Sequence, residues 1–258
     1  MNLKDHDVPP AWWLIFPPLM AIALFLTFLF SKEMYQMMLI HDQFGFGIVE
    51  NATWIVLVPG IIAGFIAFSK RRHFPNAYLG WTTLLCTFAC IFFAGEEISW
   101  GQHFFGWEAG DTFREINKQH ETNLHNVSSW LNQKPRALVE WGVMISGLIL
   151  PLRRWLRNIR TDGSDFSYWF WPTNIVVPTA LLFFFLECSY LYQKATLKVI
   201  PGWMFDREVK EYYVALFLSL YLISICLRLR GRAKQVSVPP CRDVDVSPSS
   251  SNDDKSVL

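Results

Sequence analysis

The sequence predicts an all-α integral membrane protein of about six transmembrane helices, with an amphipathic helical segment on the outer side between spans three and four. Three observations predict it. Of the 258 residues 52% are hydrophobic, above the ~45–50% usual for globular chains. The apolar residues fall in long runs almost free of charge, and hydrocarbon offers a backbone no partner but its own helix, so runs of about 20 residues read as spans. Lys and Arg cluster after every second run, as they do where cytoplasmic loops recur.

In chain order the spans are expected at about 11–30, 46–68, 77–94, 137–152, 168–191 and 212–229. The first has a leader that mixes Lys4 with Asp5 and Asp7, and no small-residue cleavage site follows Phe30. It therefore reads as a retained helix rather than a signal peptide. Pro17 and Pro18 are expected to kink it, because proline removes a ladder donor and crowds the preceding turn. The fourth span is the shortest and carries Glu140 soon after Arg136, so its outer end belongs near the interface or against protein. Residues 1–234 form one polytopic domain that includes the outer segment 95–136. Residues 235–258, with Pro239, Pro240 and a Ser- and Asp-rich end, read as a disordered cytoplasmic tail.

Basic clusters follow the second span (Lys70, Arg71, Arg72), the fourth (Arg153, Arg154, Arg157, Arg160) and the sixth (Arg228, Arg230, Arg232, Lys234). Both termini are thereby expected in the cytoplasm. On this topology the formal charge of +1 is a cancellation: 14 basic and 8 acidic residues inside give +6, 9 basic and 14 acidic residues outside give −5. A near-neutral total offers no reason to expect nucleic acid as a partner; the lipid bilayer is the expected one, with a membrane protein as a further candidate. The cysteines lie in spans or tail and suggest no disulfide framework.

All eleven Glu fall in outer segments or at the outer ends of spans. Glu50, Glu140, Glu208 and Glu211 stand near the starts of outward-beginning helices, where the dipole favours an acid. Glu96, Glu97 and Glu187 stand at helix C-termini, where it does not, and ionisable groups at such depth usually face the bundle interior. Glu96 and Glu97 open the run Gly95-Glu96-Glu97-Ile98-Ser99-Trp100-Gly101-Gln102-His103. Two geometries suit it: a continuing helix with Glu96, Ser99 or Trp100, and His103 on one face, or a helix that ends near Gly101 with an interfacial loop anchored by Trp100, Phe104, Phe105 and Trp107. Farther on, Phe113, Ile116, His120, Leu124, Val127 and Leu131 recur at helical spacing, with Glu121 and His125 one turn apart on such a helix.

Neutral imidazole with carboxylate is the ligand vocabulary of zinc and non-haem iron. Glu96, Glu97, His103, Glu121 and His125 are the candidate catalytic residues, and His103, His120, Glu121 and His125 the candidate metal ligands; the sequence leaves the cofactor open, and zinc or iron is what such a ligand set would hold. The spacing is not that of a zincin, since Leu124 stands where HExxH would place the second histidine. A proton-relay network and a purely structural role stay open beside the metal reading. No GxSxG, P-loop, GxGxxG or CxxC pattern occurs, which removes the usual hydrolase, nucleotide and redox readings.

The run Gly95-Glu96-Glu97-Ile98-Ser99-Trp100-Gly101-Gln102, followed by Glu121-Thr122-Asn123-Leu124-His125-Asn126, resembles the signature stretch of a family of bacterial multi-pass membrane proteins with no established activity. The resemblance implies shared architecture and a bacterial inner membrane. It implies no reaction. Three functions stay open: an enzyme at the outer leaflet acting on a lipid or lipid-linked substrate, an ion- or proton-coupled carrier, and a non-catalytic membrane subunit or scaffold.

Overall fold

The computed structural model describes residues 7–39, 47–108, 110, 122, 129–196 and 207–237. They are helical, with no strand among them, and include six helices long and apolar enough to cross a membrane. These are α1 (Ala11–Phe30), α3 (Ile48–Ser69), α4 (Ala77–Glu97), α6 (Gln133–Leu156), the pair α7 (Phe166–Phe170) and α8 (Val177–Thr196), and α9 (Arg207–Ser237). Two short helices, α2 (Lys32–Leu39) and α5 (Gln102–Phe105), lie between them. The expected amphipathic helix near 111–131 and most of the tail fall outside the described residues.

Prolines shape three of the spans. In α1 a wide π-helical turn, Ala11–Ile15, precedes Pro17 and Pro18 at the start of its α-helical part. α6 likewise makes a π-helical turn, Ile145–Ile149, directly before Pro151. A proline lacks the N–H that would close the preceding turn, and widening that turn relieves the clash of its ring. The fifth span, expected as one helix from 168, is broken. Trp171 is extended (φ −94°, ψ 146°), as a residue before proline prefers, and the chain restarts through Asn174–Val176 into α8.

α9 is the hub. Within its most apolar stretch 78% of residues are buried, against 11% for α1 and 17% for α6, so the latter two form the lipid-facing rim. α9 packs chiefly on α3 and α8, and α3 on α4. Lipid tails are as apolar as leucine, so helices gain nothing by hiding from them and associate through close packing. Small residues supply it. A Cβ on Gly60 of α3 would sit 2.6 Å from the Cα of Ser219 of α9, and one on Gly147 of α6 would sit 2.5 Å from the Cβ of Ala180. Around these contacts Leu57, Cys90, Ala215 and Leu222 fill the centre, while Phe74, Trp169, Ile225 and Leu229 fill the end that carries the basic clusters.

The two glycine environments give a paired test. Gly60→Ala must push α3 off α9 and should lower stability by about 1–3 kcal/mol, the usual cost of overpacking. Gly142→Ala in α6 meets nothing within 4 Å and should stabilise by about 0.5–1 kcal/mol through helix propensity. Thermal unfolding of both variants in detergent measures the difference.

Candidate functional site

α4 ends at Glu97 in a left-handed turn: Ser99, Trp100 and Gly101 have φ of 45°, 55° and 88°. Two non-glycine residues in that region cost ~1–2 kcal/mol each, so local contacts must hold them there. Trp100 Nε1 donates to Glu96 Oε1 at 2.8 Å. Its indole lies on Gly95, where a Cβ would come within 2.9 Å of the ring, and meets the ring of Phe92 edge-on at 6.0 Å. Gly101 supplies the conformation that no side chain tolerates well, and Phe105 and Trp107 stack beyond it at 5.7 Å. The chain then presents Gln102, whose Oε1 accepts from the backbone N and the Oγ1 of Thr122 at 2.7 and 2.8 Å. Every polar or glycine position from Gly95 to Gln102, apart from Glu97, thus has a part in one turn that is tied to the chain position directly after Glu121.

Glu97 points elsewhere. One oxygen from each of Glu97, Glu208 and Glu211 lies within 4.8 Å of the others, which joins the end of α4 to the first turns of α9. Glu50, in the first turn of α3, is close enough to add to their repulsion. Ionised carboxylates about 4 Å apart would repel by about 4 kcal/mol near a protein surface, and two arginines meet the cluster at Glu211. Arg207 Nε and Arg136 Nη1 both donate to Glu211 Oε1 at 2.8 Å. Arg136 Nε also holds Glu140 at 2.8 Å. Among the described residues none donates a hydrogen bond to Glu97, and its carboxylate remains half-buried.

Of the three glutamates that helix dipoles disfavour, two thus have local partners. Glu96 is buried and bonded to Trp100. Glu187 pairs with Lys210 at 2.9 Å, and that ammonium also sits 4.4 Å over the ring of Tyr190. Glu97 is the third. The continuing helix that would put Glu96, Ser99 or Trp100, and His103 on one face does not occur, because the helix stops and the chain turns left-handed at Ser99 and Trp100; Trp100, Phe104, Phe105 and Trp107 are exposed as an interfacial loop requires. His103 lies on α5, and its side chain is outside the described residues, as are His120, Glu121 and His125. Position alone makes Glu208 and Glu211 dipole partners of their own helix; the structure adds Arg136 and Arg207 as counter-ions of Glu211. The available signal was depth: α4 ends where α9 begins, so both ends lie at one membrane level. Nothing in the sequence says that these two helices are neighbours.

No family model, curated protein or solved structure matches the chain. Fold and site define it as a six-span helical membrane protein with a carboxylate cluster at one end of its central helix.

Removing one of three clustered like charges should relieve repulsion. Glu97→Gln is expected to raise the unfolding midpoint, by about 1 kcal/mol. Arg136→Gln, which strips a shared counter-ion from Glu140 and Glu211, should lower stability by about 1–3 kcal/mol. Opposite shifts in a thermal melt are the expected outcome. A fall with both variants would show that Glu97 is bonded and stabilising.

Proposed function

We propose that the protein is a membrane-embedded enzyme that works at the acidic end of the bundle on the headgroup of a lipid or a lipid-linked substrate. The convergence of Glu97 with Glu208 and Glu211 carries this reading. A stabilising ion network would place each carboxylate opposite a cation, whereas Glu97 is brought against two other acids and accepts from no described donor. Destabilising arrangements of this kind are characteristic of working sites.

In this reading Glu97 is the acid–base group, its oxygens available to take a proton from a nucleophile or return one to a leaving group. Glu208 and Glu211 hold a cation or the substrate's positive group, with Glu211 oriented by Arg136 and Arg207. Glu96 is a positioning residue that fixes the turn through Trp100. The tie from Gln102 to Thr122 supports a role for the flanking Glu121 and for His125, as does the proximity of His103 to the turn in sequence. Three carboxylates alone suit a hard divalent ion, and with imidazole from His103, His120 or His125 the set suits zinc or iron. The basic clusters at the opposite end support a topology with both termini in the cytoplasm and the acidic end outside. The resemblance of the Gly95–Gln102 and Glu121–Asn126 runs supports a bacterial inner membrane.

The test reconstitutes the full chain into liposomes of bacterial lipid and follows headgroup composition by mass spectrometry, with metal content measured on the same preparation. Wild type should alter a lipid class. Glu97→Gln should slow that change by at least about 100-fold, the usual scale of losing a general acid or base, while melting no lower than wild type. Headgroup turnover that Glu97→Gln leaves intact would overturn the proposal, as would unchanged lipids in the presence of wild type loaded with zinc, iron or magnesium.

A further inference from the structure

The opposite end of α9 holds a second cluster, and it is cationic. Arg228 is 1% exposed. Its Nε donates to the Ser224 carbonyl at 3.4 Å and its Nη1 to that of Tyr168, and its guanidinium lies 4.8 Å over the Tyr168 ring and 5.6 Å over that of Trp169. Its Nη2 is buried and has no partner among the described residues. Arg154 of α6 reaches the same short stretch, donating to the carbonyls of Ser167 at 3.5 Å and Pro172 at 3.3 Å. The two guanidiniums are near enough to repel one another. Arg232 adds a third charge, bonded to the Gly163 carbonyl at 2.7 Å and 5.7 Å over the Trp169 ring.

Among the described residues none of the three arginines has a carboxylate within ion-pair distance. Three described acids stand at this end: Asp7 accepts from Thr173 Oγ1 at 2.7 Å and from the Val8 amide at 2.9 Å, while Asp162 and Asp165 accept from Ser164 and from the Asp162 amide, respectively, within their own turn. Backbone carbonyls and ring faces solvate a guanidinium partly, and one such arginine would be an ordinary clasp on the C-terminus of α7. Three together, one of them buried, are not, since a buried charge without a counter-ion costs several kcal/mol and two further like charges beside it add to that cost. A buried Nη2 left without an acceptor adds to that cost.

We infer that Arg154 and Arg228 form a site for a phosphate-bearing anion, with Arg228 as its floor and the half-buried Arg154 as its edge. Guanidinium presents paired N–H groups that match phosphate oxygens, and two guanidiniums that repel one another lose that repulsion when an anion lies between them. The anion is a lipid phosphate from the adjoining leaflet or a free phosphate. Because the site lies at the far end of α9 from Glu97, it stands whether or not the acidic end is catalytic.

Delipidated full-length protein is titrated with phosphatidylglycerol, phosphatidylcholine or inorganic phosphate, and bound lipid is read by native mass spectrometry alongside the melting temperature. Phosphatidylglycerol should be retained and raise the melting temperature. Arg154→Gln should reduce retention by about tenfold or more, and Arg228→Lys, which keeps the charge but loses the fork, should do so as well. Arg153→Gln removes the same charge from an exposed neighbour and should change retention less than about twofold. Stabilisation by phosphatidylglycerol alone identifies a lipid headgroup; stabilisation by inorganic phosphate as well shows that the anion suffices. Equal losses for Arg153→Gln and Arg154→Gln would overturn the site, as would wild type that neither anionic probe stabilises more than Arg154→Gln. Should Arg228→Lys fail to fold, the comparison of Arg153→Gln with Arg154→Gln decides the matter.

Discussion

The close approach of α3 and α9 at Gly60 and Ser219 is the contact on which the remaining arrangement depends. A membrane gives helices little reason to seek one another beyond the fit of their surfaces, so the pair that fits best sets the position of the others. α4 closes on α3 at Gly64, where a Cβ would meet the side chain of Thr87, and the ends of α3, α4 and α9 are thereby brought to one place. Glu50, Glu97, Glu208 and Glu211 are each tolerable on their own helix. Their crowding is imposed by the packing of small residues about two to four turns deeper.

The bundle spends that packing energy at its two poles. At one, carboxylates gather and two arginines hold them; at the other, arginines gather and carbonyls and aromatic rings hold them. In both places the counter-charge among the described residues is incomplete, in a molecule whose apolar middle is well filled. A well-filled apolar interior thus carries like-charged clusters at both of its ends.

The spans were legible because hydrocarbon demands a long apolar run of any helix that enters it, a requirement written in consecutive residues. Where the sequence misled, a local rule met a proline: the fifth span breaks at Trp171 because Pro172 follows, and α6 starts earlier than its apolar run does. The run Gly95–Gln102 was visible as a string but not as a device, since the left-handed turn depends on an indole folding back to Glu96 across a glycine. The partnering of Glu97 with Glu208 and Glu211 joins positions more than a hundred residues apart. No periodicity carries that information; it arises from which helices touch, and only packing decides it.

α9 also fixes the distance between the two charged poles. It is 31 residues long, about 46 Å at the rise of an α-helix, well beyond a hydrocarbon core of about 30 Å. Its inner charged positions, Glu211 and Arg228, lie seventeen residues apart, or about 26 Å. Neither can retreat, because each is bonded to a different helix or segment. The two charged poles are therefore held about 26 Å apart by one continuous helix, and that spacing is a property of the bundle's interior. A displacement of α9 along its axis would move both charged clusters together, so the acidic pole and the cationic pole are mechanically coupled through a single element.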